Sequence, residues 1–152
     1  MPTVEIILRD DDGHMIDSQS VKKYPLDWKG RSFHDIEGAV EQFKRSALPD
    51  IEADLLEAAQ KAFIEGKKKD LIGNGTTPIT LKTLHGRFEF KVQRLTDRMS
   101  PNQPDQTYFD LTDQVQEDYV SDRLKEFSAY YRNRLSDMEV VGWVDRVTGT
   151  QH

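Results

Sequence analysis

Two neighbouring stretches of alternating apolar and polar residues constrain this chain more than any other feature. They cover residues 79–84 and 88–95, and His85, Gly86 and Arg87 separate them. In the second stretch the two alternating sets are Phe88, Phe90 and Val92 against Glu89, Lys91 and Gln93. Because successive side chains of a strand point to opposite faces, the pattern predicts an antiparallel hairpin with one buried face and one charged face.

Two helices are predicted before this hairpin. The first begins at Ser32, which offers an N-cap with Asp35 in the first turn, and ends near Ser46. The second begins at Pro49, since proline is accepted at the first helical position, and ends at Gly66. Apolar residues recur at helical spacing in both segments: Phe33, Ile36, Val40 and Phe43, then Ile51, Leu55, Ala59, Ala62 and Phe63.

The two ends of the chain differ in pattern. Alternation around Val4, Ile6 and Leu8 before Asp11-Asp12-Gly13, resumed at Met15, Ile16 and Val21, predicts an N-terminal hairpin. The last third is predicted to be helical, with an apolar stripe made of Val120, Leu124, Phe127, Tyr131 and Leu135. A capping box at residues 136–139 opens a further helix, so the two form part of a helix-turn-helix.

These elements predict an α+β fold. Its order is an N-terminal β-hairpin, two helices, a second antiparallel hairpin and a C-terminal helical pair. We expect an α+β domain over residues 1–98, a Pro-rich and polar linker over 99–107, and a helical region over 108–152.

Charge is unevenly distributed along the sequence. The net charge is −6 at pH 7, yet residues 67–99 contain 8 Lys and Arg against 3 Asp and Glu. These cations are Lys67, Lys68, Lys69, Lys82, Arg87, Lys91, Arg94 and Arg98. We expect them to form one continuous patch suited to a nucleic-acid backbone, because phosphate neutralisation needs such a surface. A solvated sheet face has the same pattern, and this alternative stays open.

Arg132 and Arg134 form a smaller candidate group near the end of the penultimate helix. They could contact backbone phosphates in a helix-turn-helix. Arginines in a last helical turn are also favoured by the helix dipole alone. Because the surrounding residues are acidic, we favour a role of this helical pair in scaffolding or dimer packing.

The sequence contains no recognisable catalytic or metal-binding pattern. It has no cysteine, which excludes disulfides and thiolate metal sites, and its four histidines are scattered. We interpret Asp10-Asp11-Asp12 as a solvated turn rather than a metal site. Gly73-Asn74-Gly75 lacks the Lys and Ser or Thr of a phosphate loop and is interpreted as a loop leading into the hairpin. We therefore expect no independent enzyme, no metal and no cofactor.

The N-terminal apolar run is short and is closed by charged residues. It has neither the length of a membrane span nor the composition of a signal peptide. We expect a cytoplasmic protein that has no membrane partner.

The sequence also resembles a known protein family. Residues 80–94, TLKTLHGRFEFKVQR, resemble the hairpin near the start of insertion-sequence transposases of the Kra group, within the bacterial class that uses an RNase-H-like catalytic domain. The helix before them, residues 108–111 after the Pro-rich linker, and the segments 124–135 and 135–149 look like the same layout continuing into that family's helix-turn-helix. The resemblance covers about residues 48–149, and its specificity comes from the order of short motifs.

The resemblance implies a role in DNA binding or assembly. In that family three acidic residues of a later domain carry the DNA-transposition chemistry, and nothing in this sequence corresponds to that domain. It therefore implies a truncated or split product that binds double-stranded DNA at the element ends, with a second copy of itself or a full-length transposase as a further expected partner. The alternative is a protein-interaction or regulatory module that does not bind DNA, which the overall acidity favours.

Overall fold

The fold is described from a computed structural model, which describes residues 2–16, 21–27, 32–112, 118–132 and 145–148. As predicted, it is α+β: these residues form two small antiparallel sheets, of two and three strands, and four helices. The chain divides into two compact units, Met1–Leu48 and Pro49–His152. None of the described helices combines the length and the apolar character of a membrane span.

The first unit contains the predicted N-terminal hairpin. Strand β1 (Thr3–Ile6) pairs antiparallel with β2 (Lys22–Pro25). The hairpin turns where expected, because Arg9 and Met15 form an antiparallel bridge across the turn. Its second strand, however, starts at Lys22 and not near Met15, and residues 17–20 lie outside the described part of the chain.

Helix α1 (Phe33–Gly66) is one continuous helix with Pro49 inside it, so the prediction of two helices is wrong. A proline inside a helix removes one backbone hydrogen bond and costs about 3 kcal/mol. Here Pro49 is buried, and its ring lies against Gly86. Packing of the ring offsets the cost of a proline inside the helix. The local sequence could not reveal this packing.

The start of α1 is as predicted. The amide of Asp35 donates to Ser32 Oγ at 3.1 Å, and this hydroxyl donates to Asp35 Oδ2 at 2.8 Å. The apolar stripe that follows is mostly exposed: Phe33, Ile36 and Val40 are 80%, 46% and 54% exposed. Only Phe43 is covered, with its ring edge-on to Tyr24 at 5.5 Å between centroids.

The predicted central hairpin is confirmed and is longer than expected. Strand β3 (Leu71–Thr83) pairs antiparallel with β4 (Gly86–Asp97) around a tight turn. Gly73-Asn74-Gly75, predicted as a loop, lies inside β3 at a register shift between Gly73 and Thr76. Gly75 has φ +82, a conformation that glycine adopts at no steric cost. The glycines therefore build a β-bulge and do not end the strand.

The apolar face of this hairpin carries the core of the second unit. Leu81, Phe90 and Val92 pack with the rings of Tyr108 and Phe109, and Leu56 and Phe63 of α1 lie against this cluster. Tyr108 and Phe109 belong to α2 (Tyr108–Thr112), which follows strand β5 (Gln106–Thr107). Strand β5 pairs with β4, so residues 99–107, predicted as a linker, lie within the second unit.

Gln60 closes the outer edge of β4. Its side-chain amide donates to the carbonyl of Lys91 at 3.3 Å, and its Oε1 accepts from the amide of Gln93 at 3.0 Å. These backbone groups point away from β3, toward the side of β4 on which a further strand could otherwise pair. Because unpaired strand edges invite association, the buried Gln60 acts as a side-chain substitute for a neighbouring strand.

Helix α3 (Asp122–Arg132) begins two residues later than the predicted apolar stripe. Val120 forms a parallel bridge with Lys82 and therefore does not belong to the helix. The helix is capped by Ser121, whose Oγ accepts from the amide of Leu124 at 3.2 Å, and Leu124 is fully buried. The predicted capping box at 136–139 lies outside the described residues, and 145–148 are helical.

Replacing Gln60 tests the closed edge. We expect Gln60→Ala to lower the free energy of unfolding by about 1 kcal/mol, because two partly buried backbone groups lose their partners. Urea unfolding measures this loss, and Lys61→Ala at the neighbouring exposed position is the control. An equal effect of the two variants would contradict the role given to the amide.

Two glycines provide a matched pair of substitutions. Gly86 has φ +140, and a Cβ there would lie 2.6 Å from Pro49 Cγ. Gly38 lies inside α1 and a Cβ would meet nothing within 4 Å. We expect Gly86→Ala to destabilise the protein by about 2 kcal/mol, and Gly38→Ala to stabilise it by up to about 1 kcal/mol. Thermal unfolding of both variants would show shifts of opposite sign, and a stabilising Gly86→Ala would contradict the close approach.

Candidate nucleic-acid interface

The solvent-facing side of the hairpin collects part of the predicted cations. On β4, Arg87, Glu89 and Lys91 are exposed, while Phe90 and Val92 between and beyond them are buried. This is the predicted alternation of a charged and an apolar face. The phase changes after Gln93, since Arg94 is exposed and Leu95 is buried.

Lys82 and Arg87 form what we call the closed-end pair, beside the turn of the hairpin. Their Cα atoms are partners in the register of β3 and β4, so the two side chains share one face. Among the described residues, neither forms an ion pair within 4.0 Å. Like charges directly opposite each other destabilise a sheet, so this pair is a site where an anion would be favourable.

The backbone around Lys82 is fixed by a neighbouring segment. The amide of Lys82 donates to the carbonyl of Tyr119 at 3.0 Å, and the amide of Ser121 donates to the carbonyl of Lys82 at 2.9 Å. Tyr119 has φ +57, an uncommon conformation for a non-glycine residue. The segment before α3 therefore holds the closed end of the hairpin.

Lys67, Lys68, Lys69 and Arg98 form the open-end group, at the other end of the hairpin. The lysines lie in the turn between α1 and β3, and Arg98 directly follows β4. Arg98 Nε donates to the carbonyl of Lys68 at 3.2 Å, which fixes the arginine beside the lysines. All four residues are exposed, and Lys68 Nζ lies 3.3 Å from Glu65 Oε1.

Arg94 lies between the two groups, beside a carboxylate. Asp105 accepts from Thr96 Oγ1 at 2.8 Å and from Asn74 Nδ2 at 2.7 Å. These hydrogen bonds, followed by the charge of Arg94, hold the pKa of Asp105 below its usual value, while desolvation opposes them. Because Asp105 stays ionised, it offsets part of the positive charge of Arg94.

The expectation of one continuous basic patch is wrong. The open-end group and the closed-end pair lie at opposite ends of the hairpin, because β3 starts after the lysines and β4 ends before Arg98. Eleven residue steps of about 3.4 Å along β4 separate Arg87 from Arg98 by roughly 37 Å. Between Arg87 and Arg98, cations alternate with carboxylates. The positive charge is therefore concentrated at the two ends of the hairpin.

Of the remaining predicted cations, the structure describes Lys91 fully but the two arginines after residue 131 only in part. Lys91 is exposed and lines a cleft of about 490 Å³ between α1 and β4, together with Glu57, Lys61 and Glu65. Arg132 is the last residue of α3, and its side chain and Arg134 lie outside the described residues.

Two contributors were missed by sequence reasoning. Lys61 shares the cleft with Lys91, and Asp105 neutralises part of the charge at Arg94. Lys61 lies on α1 one residue after Gln60, so the packing of that helix along β4 would have indicated it. No local pattern in the sequence indicates Asp105, because the residues it contacts, Asn74 and Thr96, lie 31 and 9 positions before it.

The acidic run near the N-terminus behaves as a turn. Asp10 Oδ1 accepts from the amides of Asp12 and His14 at 3.0 and 2.9 Å. Ligand atoms of these three exposed residues lie within 4.8 Å of one another. The turn's own amides use the Asp10 carboxylate, which accounts for the clustering without an ion.

Comparison with known proteins gives no match, either to a family model or to a curated protein. The resemblance to transposases of the Kra group therefore rests on the residues of the sequence.

The lowered pKa of Asp105 predicts that the stability of the protein depends on pH. A carboxyl whose pKa is lowered on folding stabilises the folded state above its unfolded pKa of about 3.9, and this stability is lost as the pH falls through the folded pKa. We expect Asp105→Asn to be less stable than the parent at pH 6, with the difference shrinking as the pH falls below about 4. Urea midpoints between pH 2 and pH 7 measure it, and a difference that is constant across this range would contradict the assignment.

Proposed function

We propose that this protein is the DNA-binding or assembly part of an insertion-sequence transposase, and that the β3–β4 hairpin binds the phosphate backbone of double-stranded DNA at the element ends. The observation that carries the proposal is the closed-end pair. Two cations, the partly buried Lys82 and the exposed Arg87, are held opposite each other on the hairpin, with no carboxylate within 4.0 Å among the described residues.

The electrostatics of this pair favour a polyanion. Without an anion, the two positive charges repel each other across the strands. When each cation binds a phosphate oxygen, two charge-assisted hydrogen bonds offset the repulsion, and the condensed counterions of these phosphates are released. The overall acidity of the chain does not prevent this, because exposed charges beyond about 10 Å are largely screened at 0.1 M salt.

A second candidate function is a protein-interaction or regulatory module that does not bind DNA. The observation that favours it lies in the first unit, where Phe33, Ile36 and Val40 are exposed at helical spacing on α1. Light scattering and pull-down against a full-length transposase of the resembled group test this candidate. Self-association or capture without a gel shift on any duplex would favour it over DNA binding.

Neutralising the closed-end pair tests the DNA-binding proposal. We expect Lys82→Gln with Arg87→Gln to reduce the slope of log affinity against log salt by about 1.8, because each lost phosphate contact removes about 0.9. Fluorescence anisotropy with a labelled duplex over a salt series measures the slope. Lys44→Gln, at an exposed lysine of α1, is the matched control and should leave it unchanged.

Stability separates this effect from misfolding. Because the double variant removes a like-charge contact, its free energy of unfolding should equal or exceed that of the parent. An unchanged salt slope in a folded double variant would remove the support for DNA binding through this pair.

A further inference from the structure

We infer that Asn74 is a modification site, at which the side-chain amide is converted to a carboxylate by spontaneous reaction with the backbone of Gly75. The side chains of Arg94 and Asp105 set the rate of this reaction. A glycine after an asparagine favours the chemistry, because it has no Cβ to shield its backbone nitrogen. Of the three asparagines in the chain, at 74, 102 and 133, only Asn74 precedes a glycine. The reaction consumes water alone, so it is independent of DNA binding.

The reaction has two balanced steps. The Gly75 nitrogen loses its proton and attacks Cγ of Asn74, which gives a tetrahedral intermediate with a negatively charged oxygen. This intermediate expels the side-chain nitrogen of Asn74, which takes up protons and leaves as ammonia, and a five-membered cyclic imide remains. Water then opens one of the two carbonyls of the imide. The product at position 74 is an aspartate or an isoaspartate, with one negative charge in either case.

The β-bulge of β3 leaves this dipeptide open to the reaction. Asn74 and Gly75 are exposed, and within the described hairpin the register passes from Gly73 to Thr76 without a Cα partner for either. Regular pairing would fix the backbone torsions and hinder the approach of the nitrogen to the preceding side chain. Gly75 has φ +82, which lies outside the extended region. The bulge therefore removes the restraint that strand pairing imposes.

Arg94 places a positive charge over Gly75. Its Nη2 atom lies 2.8 Å from the position that a Cβ at Gly75 would occupy. A guanidinium at this place stabilises the negative charge that develops when the Gly75 nitrogen loses its proton and when the tetrahedral intermediate forms. Arg94 therefore accelerates the reaction.

Asp105 opposes the reaction. Its Oδ2 accepts from Asn74 Nδ2 at 2.7 Å, and its Oδ1 accepts from Thr96 Oγ1 at 2.8 Å. The second hydrogen bond anchors the carboxylate to β4, and the first restrains the Asn74 side chain. Because the acceptor is charged, a change of the Asn74 rotamer breaks a strong hydrogen bond. Asp105 also offsets part of the charge of Arg94, so both of its effects slow the conversion.

The product destabilises the place where it forms. Conversion of Asn74 replaces the donor of a 2.7 Å hydrogen bond by a second carboxylate beside Asp105. Like charges at such a distance repel each other. The contact between the bulge and the segment before β5 is therefore lost.

The test is incubation of the full folded chain at neutral pH, followed by peptide mass spectrometry. The replacement of NH₂ by OH is measured at Asn74 and at the exposed Asn102, which precedes Gln103 and is the internal control. We expect Asn74 to be converted several-fold faster than Asn102. Equal rates at the two positions, or conversion of Asn74 only when the protein is unfolded in urea, would overturn the inference.

Two variants have expected effects of opposite sign. Arg94→Gln should slow the conversion of Asn74 several-fold, and Asp105→Ala should accelerate it several-fold. Arg87→Gln, at the other end of β4, is the matched control and should leave the rate unchanged. A variant that only loosens the bulge would accelerate the reaction, so faster conversion in Arg94→Gln would overturn the role given to this arginine.

The consequence for stability has its own variant. Asn74→Asp carries the charge of the product, whereas Asn74→Ser lacks the amide without adding a charge. We expect the urea midpoint of Asn74→Asp at neutral pH to lie below that of Asn74→Ser, because only the former adds a like charge beside Asp105. Equal midpoints would contradict the repulsion between the two carboxylates.

Discussion

The packing of one face of the β3–β4 hairpin against α1 and α2 is the constraint on which the second unit depends. Leu81, Phe90 and Val92 are buried only because the rings of Tyr108 and Phe109 cover them, with support from α1. This burial fixes which face of the ribbon is exposed, since a shift of one residue in register would exchange the two faces. The exposed position of the charged side chains thus follows from the apolar core beneath them.

The same packing explains how a chain with a net charge of −6 can present a locally basic surface. The hairpin carries cations at its two ends, whereas in its middle the cations Lys91 and Arg94 lie near the carboxylates Glu89 and Asp105. Regular strand geometry turns a cluster in sequence into two separated groups in space. Local charge counts therefore indicate the composition of a surface, whereas the secondary structure determines its arrangement.

Local patterns predicted most elements of the fold, and long-range contacts account for the errors. Alternation predicted the central hairpin and its faces, and Ser32 with Asp35 predicted the start of α1, because these signals act over a few residues. Pro49 was wrongly taken as a helix start, since its ring packs on Gly86 far away in sequence. Likewise, the glycines at 73 and 75 were taken as a loop, because only pairing with β4 shows that they form a bulge. The candidate cations were identified by sequence, but their division into two groups was not.

Gln60 has a consequence for how this protein can assemble. Open β-sheets grow by adding strands at their edges, and such growth leads to domain swapping and fibrils. With the Lys91 carbonyl and the Gln93 amide already bound by one side chain, this stretch of β4 cannot template another strand. This part of β4 is therefore closed to strand addition, whereas β3 lies at the opposite edge of the same sheet.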